Sequence, residues 1–239
     1  MGEARSLRYF NSPIHQADQR QVAIYVLDGE RARLGLATAV QARLLSVLTG
    51  TDVPLVVAVD SNGQREKDFR NASSRPAPWR PSISGRAAAF DRFLLDEVRP
   101  LVRERFSGIE KEYVFGHSLA GLYLVDLASR IGSSDGFTGY AAFSPTFSHD
   151  LGMIERLARI CETKSALFVT IGLESRREDE LFERARARST CAGSLVKFER
   201  HPGAIHQIVM LTGQFSALQH IMEGSELSSN TSPGAGAGI

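Results

Sequence analysis

The chain has 239 residues, enough for one large domain or two small ones, and its 28 Lys plus Arg against 27 Asp plus Glu leave a formal net charge of +1. That balance supplies no broad cationic surface for nucleic acid or anionic lipid, and the longest apolar runs, Pro54 to Val59 and Ala166 to Leu173, fall far short of the roughly 20 residues that span a bilayer. Two cysteines, Cys161 and Cys191, exclude a disulfide framework or a metal knuckle and are expected as reduced thiols, and the opening MGEARSLRYFNSPIHQ lacks the apolar core of a secretory signal, so a cytoplasmic protein is expected.

In chain order, short apolar runs alternate with amphipathic segments, the pattern of strands that cross over through helices into a parallel sheet. The first strand is expected at Gln21 to Leu27. A helix follows, with Leu36, Ala37, Val40, Leu44, Val47 and Leu48 as its apolar stripe and therefore its inward face. A second strand spans Val53 to Asp60. The segment Ser61 to Ser84 carries Pro76, Pro78 and Pro81 and has no period, so it reads as a long loop, of a length that is often functional. Phe90, Phe93, Leu94, Val98, Leu101, Val102 and Phe106 mark another helix, which Pro100 should kink by removing a backbone donor. Strands are then expected at Glu112 to Gly116, Gly139 to Phe143, Ala166 to Gly172 and Leu195 to Glu199. Helices are expected at Leu119 to Ile131, Leu151 to Cys161, Asp179 to Ala187 and His206 to Met222. Several strands are apolar throughout, as strands covered on both faces should be. Residues 1–223 are thus expected as one α/β domain, and 224–239 (GSELSSNTSPGAGAGI) as a disordered tail with too little apolar surface to order itself.

The chemistry concentrates at Gly116-His117-Ser118-Leu119-Ala120-Gly121. An apolar strand, Tyr113 to Phe115, ends there and an apolar helix begins at Leu119. A hydroxyl held at the apex of a sharp strand-to-helix turn needs small residues on either side of it, so that strand and helix do not collide. Gly116 and Ala120, two residues before and two after Ser118, meet that need. The strict five-residue pattern asks for glycine at position 120, where this chain has Ala120 and places its glycine one residue later.

Serine is a poor nucleophile near neutral pH and requires a base, itself oriented by an acid. In hydrolases with such an elbow the chain order is Ser, then Asp or Glu, then His. Glu174 comes first after the strand Ala166 to Gly172. His206 follows the Pro202-Gly203-Ala204-Ile205 loop and is expected to open the last helix. Both would lie at the carboxyl edge of the sheet with Ser118, where open α/β sheets place their sites. His201 competes with His206 as base, and Glu178, Asp179 and Glu180 compete with Glu174 as acid. His117 reads as a packing residue, and His15, His149 and His220 as surface residues far from this edge. Donors to a developing oxyanion would be the Leu119 N–H and, from the turn Asp28-Gly29-Glu30, the Glu30 N–H.

Tyr25-Val26-Leu27-Asp28-Gly29-Glu30, the helix Phe90 to Pro100, Phe115 to Leu122 (FGHSLAGL), Ser144-Pro145, Ile171-Gly172-Leu173-Glu174 and His206 together resemble the putative esterase family of α/β-hydrolases. That family includes the enterobactin-type siderophore esterases, esterase D and the mycolyltransferases. The resemblance runs from about residue 20 to 222, and its Gly-His-Ser-x-x-Gly elbow is the form present here. It implies an α/β-hydrolase fold, a mostly parallel sheet with helices on both faces. It also implies Ser118 as nucleophile, His206 as base and Glu174 as acid, with oxyanion donors at Glu30 and Leu119. The sequence departs from the family in two places. Only about 20 residues precede the Leu-Asp-Gly segment, so the N-terminal strands should be reduced, and Gly85-Arg86 stands where the family often has Gly-Gly.

The function expected is carboxylic ester hydrolysis through an acyl-serine, on a siderophore-like or other polar small-molecule ester, with no metal or organic cofactor implied. Acyl transfer by the same machinery and a catalytically silent binding protein of the same fold are the alternatives. If the loop Ser61 to Ser84 folds over the carboxyl edge, its Arg65, Arg70, Arg75 and Arg80 with Phe69 and Trp79 would offer guanidinium and aromatic faces to substrate, Arg70 and Trp79 foremost.

Overall fold

The computed structural model describes residues 4–10, 21–132, 134–163, 165–189 and 195–229. Among them, seven strands form one sheet: β1 (Leu7–Phe10), β2 (Gln21–Leu27), β3 (Leu55–Val59), β4 (Ile109–His117), β5 (Gly139–Phe143), β6 (Ala166–Leu173) and β7 (Val196–Ile205). Their order is β1-β3-β2-β4-β5-β6-β7, and every neighbouring pair is parallel except β1 with β3. This is an α/β-hydrolase fold in which, among the described residues, the antiparallel part is the four-residue β1. The parallel strands β2 to β7 therefore bring their carboxyl ends to one edge.

The helices are α1 (Leu34–Thr49), α2 (Arg65–Asp68), α3 (Ala87–Arg92), α4 (Arg99–Arg105), α5 (Leu119–Arg130), α6 (Gly152–Arg156), α7 (Ile160–Thr163), α8 (Arg176–Arg188) and α9 (Val209–Ser229). Strand side chains alternate between the faces. Ala23, Tyr25 and Leu27 join a core with residues of α3 to α8, and Ile24 and Val26 join a second with Leu34, Ala42, Val209, Met210, Ala217 and Leu218. Residues 93–98 between α3 and α4 form a stretch of π-helix. Pro100 has no N–H for the carbonyl four residues back, and the wider turn absorbs the expected kink.

Four expectations change. The α1 stripe points outward: Leu36, Val40, Leu44, Val47 and Leu48 are exposed, and the helix lies on the sheet through Gly35, Thr38, Ala42 and Ser46. Pro202 to Ile205 is not a loop but the end of β7, so His206 sits in the turn before α9 and not at its first residue. The last helix runs to Ser229, past the start of the expected tail, while 230–239 lie outside the described residues. Cys161 is disulfide-bonded and not a free thiol, a pairing that spacing alone does not reveal; Cys191 lies outside the described residues.

Candidate active site

Strain marks the edge. Among the described residues, the non-glycine positive φ angles belong to Asp28 (53°), Arg33 (55°), Asn62 (49°), Ser118 (61°) and Ser144 (44°), all in segments leaving the carboxyl ends of β2, β3, β4 and β5. Such conformations persist only where surrounding contacts over-determine them, and they gather at functional sites. At Ser118 those contacts are backbone bonds: its N–H donates to the Phe143 carbonyl at 2.8 Å, and its carbonyl accepts the first helical bond of α5 from Leu122 at 3.0 Å.

The late glycine of the elbow now has a physical reason. A Cβ on Gly121 would sit 3.1 Å from the carbonyl oxygens of both Gly116 and Phe143, and one on Gly116 would sit 2.8 Å from the Ala120 backbone. The close approach thus involves residues 116 and 121, and the Ala120 methyl is accommodated with no exposure.

The register Val26↔Phe115 lays the end of β2 beside the end of β4, so the turn Asp28-Gly29-Glu30 flanks the elbow. Ser61 N–H donates to the Glu30 carboxylate and fixes that turn from the neighbouring strand end. The Leu119 N–H heads α5 and has no intrahelical acceptor, as the first four N–H groups of any helix do not.

Glu174 and His206 meet. His206 Nδ1 lies 2.9 Å from Glu174 Oε1 and 3.0 Å from Oε2, and Ser144 Oγ donates to Oε1 at 2.7 Å. Burial works to raise the Glu174 carboxyl, but hydrogen bonds from His206 and Ser144 and the nearby imidazoles outweigh it and hold it below the usual carboxylate value. The competitors are engaged elsewhere. Glu178 accepts from Ser148, Asp179 and Glu180 pair with Arg200 and Arg176, and His201 stands 2.9 Å from Glu199.

No hydrogen bond joins Ser118 Oγ to His206 among the described residues; the link between the elbow and His206 is His117. Its ring packs on the His206 ring with centroids 4.8 Å apart, and its Nε2 lies 2.6 Å from the His206 carbonyl oxygen. Burial, ahead of all other effects, lowers the His117 pKa to about 4, so the ring is neutral at pH 7. Nε2 must then carry the single ring proton to donate to that carbonyl. Sequence reasoning gave His117 only a packing role and assigned none to Ser144; their contacts cross between strand ends, and no local signal reports them.

β6 and β7 set the position of His206. Their pairing slips between Ile171 and Leu173, with Ile171 opposite Arg200 but Leu173 opposite Ile205, so β7 bulges there. The bulge is pressed against Gly172, where a Cβ would lie 2.0 Å from the Ala204 oxygen. Only glycine permits that approach, and it delivers His206 beside Glu174.

The loop 61–84 does run along this edge, with α2 inside it. Arg65 pairs with Asp28 at 2.8 Å, and Arg80 donates to Ser148 at 2.9 Å. Phe69 is buried against Phe90 and Tyr123. Arg70 departs from its expected role, since it is 2% exposed and bonded to Glu66 and His149, which takes it away from the rim. Trp79 is 49% exposed, with the Arg177 guanidinium 4.4 Å from its ring centroid. His149 follows β5 beside Arg70, at the edge and not far from it, and His220 stacks on Phe168; His15 lies outside the described residues. Among the described residues no three His, Cys, Asp or Glu side chains are placed to hold a metal ion, and no helix is long and apolar enough to cross a membrane.

A family model described as Putative esterase matches residues 1–190, most of the chain. The chain belongs to that family. Its fold is similar to that of the BES protein from Bacillus cereus, at 23% identity and a TM-score of 0.71 over 90% of this chain and 88% of that one. It is also similar to siderophore hydrolase EstA from Aspergillus nidulans, at 19% and 0.66 over 88% and 84%, and to the enterobactin and salmochelin hydrolase IroE, at 19% and 0.60 over 92% and 94%. No curated protein matches the chain.

Proposed function

We propose that the protein is a serine carboxylic ester hydrolase, and the observation that carries this reading is the bond of His206 Nδ1 to the Glu174 carboxylate on the edge that holds the strained Ser118. Glu174 keeps the proton of His206 on Nδ1 and leaves Nε2 as the base. After rotation of its side chain, Ser118 gives its hydroxyl proton to Nε2 while Oγ attacks the ester carbonyl carbon. The tetrahedral oxyanion accepts hydrogen bonds from the N–H groups of Glu30 and Leu119. As the carbonyl re-forms, the C–O bond to the alcohol breaks and His206 returns the proton to the departing oxygen. Water then repeats the sequence on the acyl-serine and releases the acid. An apo enzyme without the Ser–His bond is compatible with this course, because such bonds often close only around substrate.

A polar, siderophore-like ester is the substrate class supported best. Two proteins of similar fold are described as siderophore or enterobactin hydrolases, and the exposed Trp79 with Arg177 offers an aromatic and cationic rim. The test is labelling by a fluorophosphonate probe. Wild type should label and Ser118→Ala should not, with kcat falling on the order of 10^4-fold or more; a labelled Ser118→Ala protein would remove the mechanism. A trilactone siderophore assayed beside short p-nitrophenyl esters, with Trp79→Ala, tests the rim, and unchanged selectivity would exclude it.

A further inference from the structure

A cleft of about 270 Å³ opens at the carboxyl edge between the β2 turn, the elbow and the turn before α9, lined by Asp28, Arg31, Leu34, His117 and Gln207. Arg31 follows Glu30, His117 precedes Ser118 and Gln207 follows His206 in the chain. The cleft is therefore lined by the chain neighbours of the oxyanion donor, the nucleophile and the base proposed above, with the His117 ring packed on that of His206 at 4.8 Å, and this inference rests on that reading. Gln207 adjoins the imidazole that hands its proton to the departing oxygen, so the part of an ester lodged here is its alcohol.

The charge of the lining decides what that alcohol carries. Asp28 is ion-paired to Arg65 at 2.8 Å and buried. Arg31 is exposed and has no ion-pair or hydrogen-bond partner for its guanidinium among the described residues, while its backbone N–H is fixed by the Asp28 carbonyl at 2.9 Å. His117 is neutral at pH 7 and its Nε2 is already committed to the His206 carbonyl. The uncommitted donors are thus one cation and the Gln207 amide, while Asp28 Oδ1 is a buried acceptor without a hydrogen-bond partner among the described residues, whose charge the paired Arg65 offsets. From these residues we infer that the cleft is a leaving-group subsite for an alcohol bearing a carboxylate, held by the fork of Arg31 with Gln207 as second donor. Guanidinium suits a carboxylate through its paired N–H groups. It also offsets the repulsion that a second negative charge would exert on the departing oxygen.

Two esters isolate the effect, O-butyryl glycolate and O-butyryl glycolamide, which share the acyl group and differ in a carboxylate against a carboxamide. The wild type should favour the glycolate in kcat/KM by tenfold or more, and Arg31→Leu should reduce that ratio at least tenfold, with partial recovery in Arg31→Lys. No preference in wild type, or one that survives Arg31→Leu, overturns the inference. A binding measurement separates this from failure of the serine mechanism. Glycolate titrated into the Ser118→Ala protein should shift the His117 ring resonances saturably, glycolamide should shift them far less, and Arg31→Leu should abolish the glycolate response. No shift with glycolate refutes the subsite whether or not Ser118 reacts with a fluorophosphonate.

Discussion

A residue bearing a Cβ adopts positive φ only at an energetic cost of order 1–3 kcal/mol, and here Ser118 and Ser144 both do so on adjacent strand ends. The cost falls on the edge where proton transfer is proposed, and backbone bonds at Ser118 with the Ser144–Glu174 hydrogen bond hold it in place. His117 ties two of these segments together: it is joined to Ser118 by a peptide bond and to His206 by a hydrogen bond, so one residue sets the distance between the proposed nucleophile and base. Replacing His117 with Phe keeps an aromatic ring and removes the donor. A net hydrogen bond is worth about 1 kcal/mol, so kcat should fall roughly fivefold with little change in KM. His117→Gln, which restores an N–H, should recover most of it in steady-state kinetics. Equal losses in both variants would show that the ring packing, and not the donor, is what matters.

At the scale of elements, the fit of backbone on backbone decides what side-chain patterns cannot. Gly172→Ala would press a methyl on the Ala204 carbonyl and push β7 outward. Overpacking of that kind costs about 1–3 kcal/mol. Because His206 follows directly, kcat should fall more than the urea midpoint suggests, and a variant with wild-type kcat would show that the bulge does not place the proposed base. The strands and long helices were legible in the sequence because their apolar runs carry the period. The face of α1 was not, since periodicity weighs hydrophobicity, whereas this helix docks through small residues. Gly35 lies so near Ala58 that a Cβ would come within 2.5 Å of it, Thr38 accepts a hydrogen bond from Gln214 at 2.9 Å, and Gln41 donates to the Leu211 carbonyl at 2.8 Å. The row 35, 38, 42, 46, small residues at helical spacing, was the available signal. Val47→Lys should therefore change stability by less than about 0.5 kcal/mol, while Ala42→Leu should cost about 1–3 kcal/mol. Urea unfolding reads both, and the reverse ranking would put the apolar stripe inside.

For the molecule as a whole, the placement of the proposed site residues was legible from order and sheet edge: Ser118, Glu174 and His206 each follow a strand that ends on the same side. The protonation chemistry around them was not, because it depends on burial and on neighbours that no spacing reveals. Burial pushes the imidazoles of His117 and His149 down to about 4, and the Arg70 and Arg80 guanidiniums add to the effect at His149. An unfolded chain would protonate both near pH 6.5. Between about 6.5 and 4 the unfolded state thus binds more protons than the folded one, and stability must fall as pH is lowered through that window. Glu174, Glu183 and Glu199, held below the usual carboxylate value, push the same way at lower pH, while Asp28 and Asp91, raised by burial, oppose it. Comparing one variant with wild type at each pH cancels these other groups. In thermal melts from pH 7 to 4.5, His149→Gln should be the less stable protein at pH 7, since it loses the contact with Arg70, yet its melting temperature should decline less steeply than that of wild type. Parallel curves would mean that His149 titrates in the folded protein as it does in the unfolded chain, and that its contact with Arg70 does not hold it neutral.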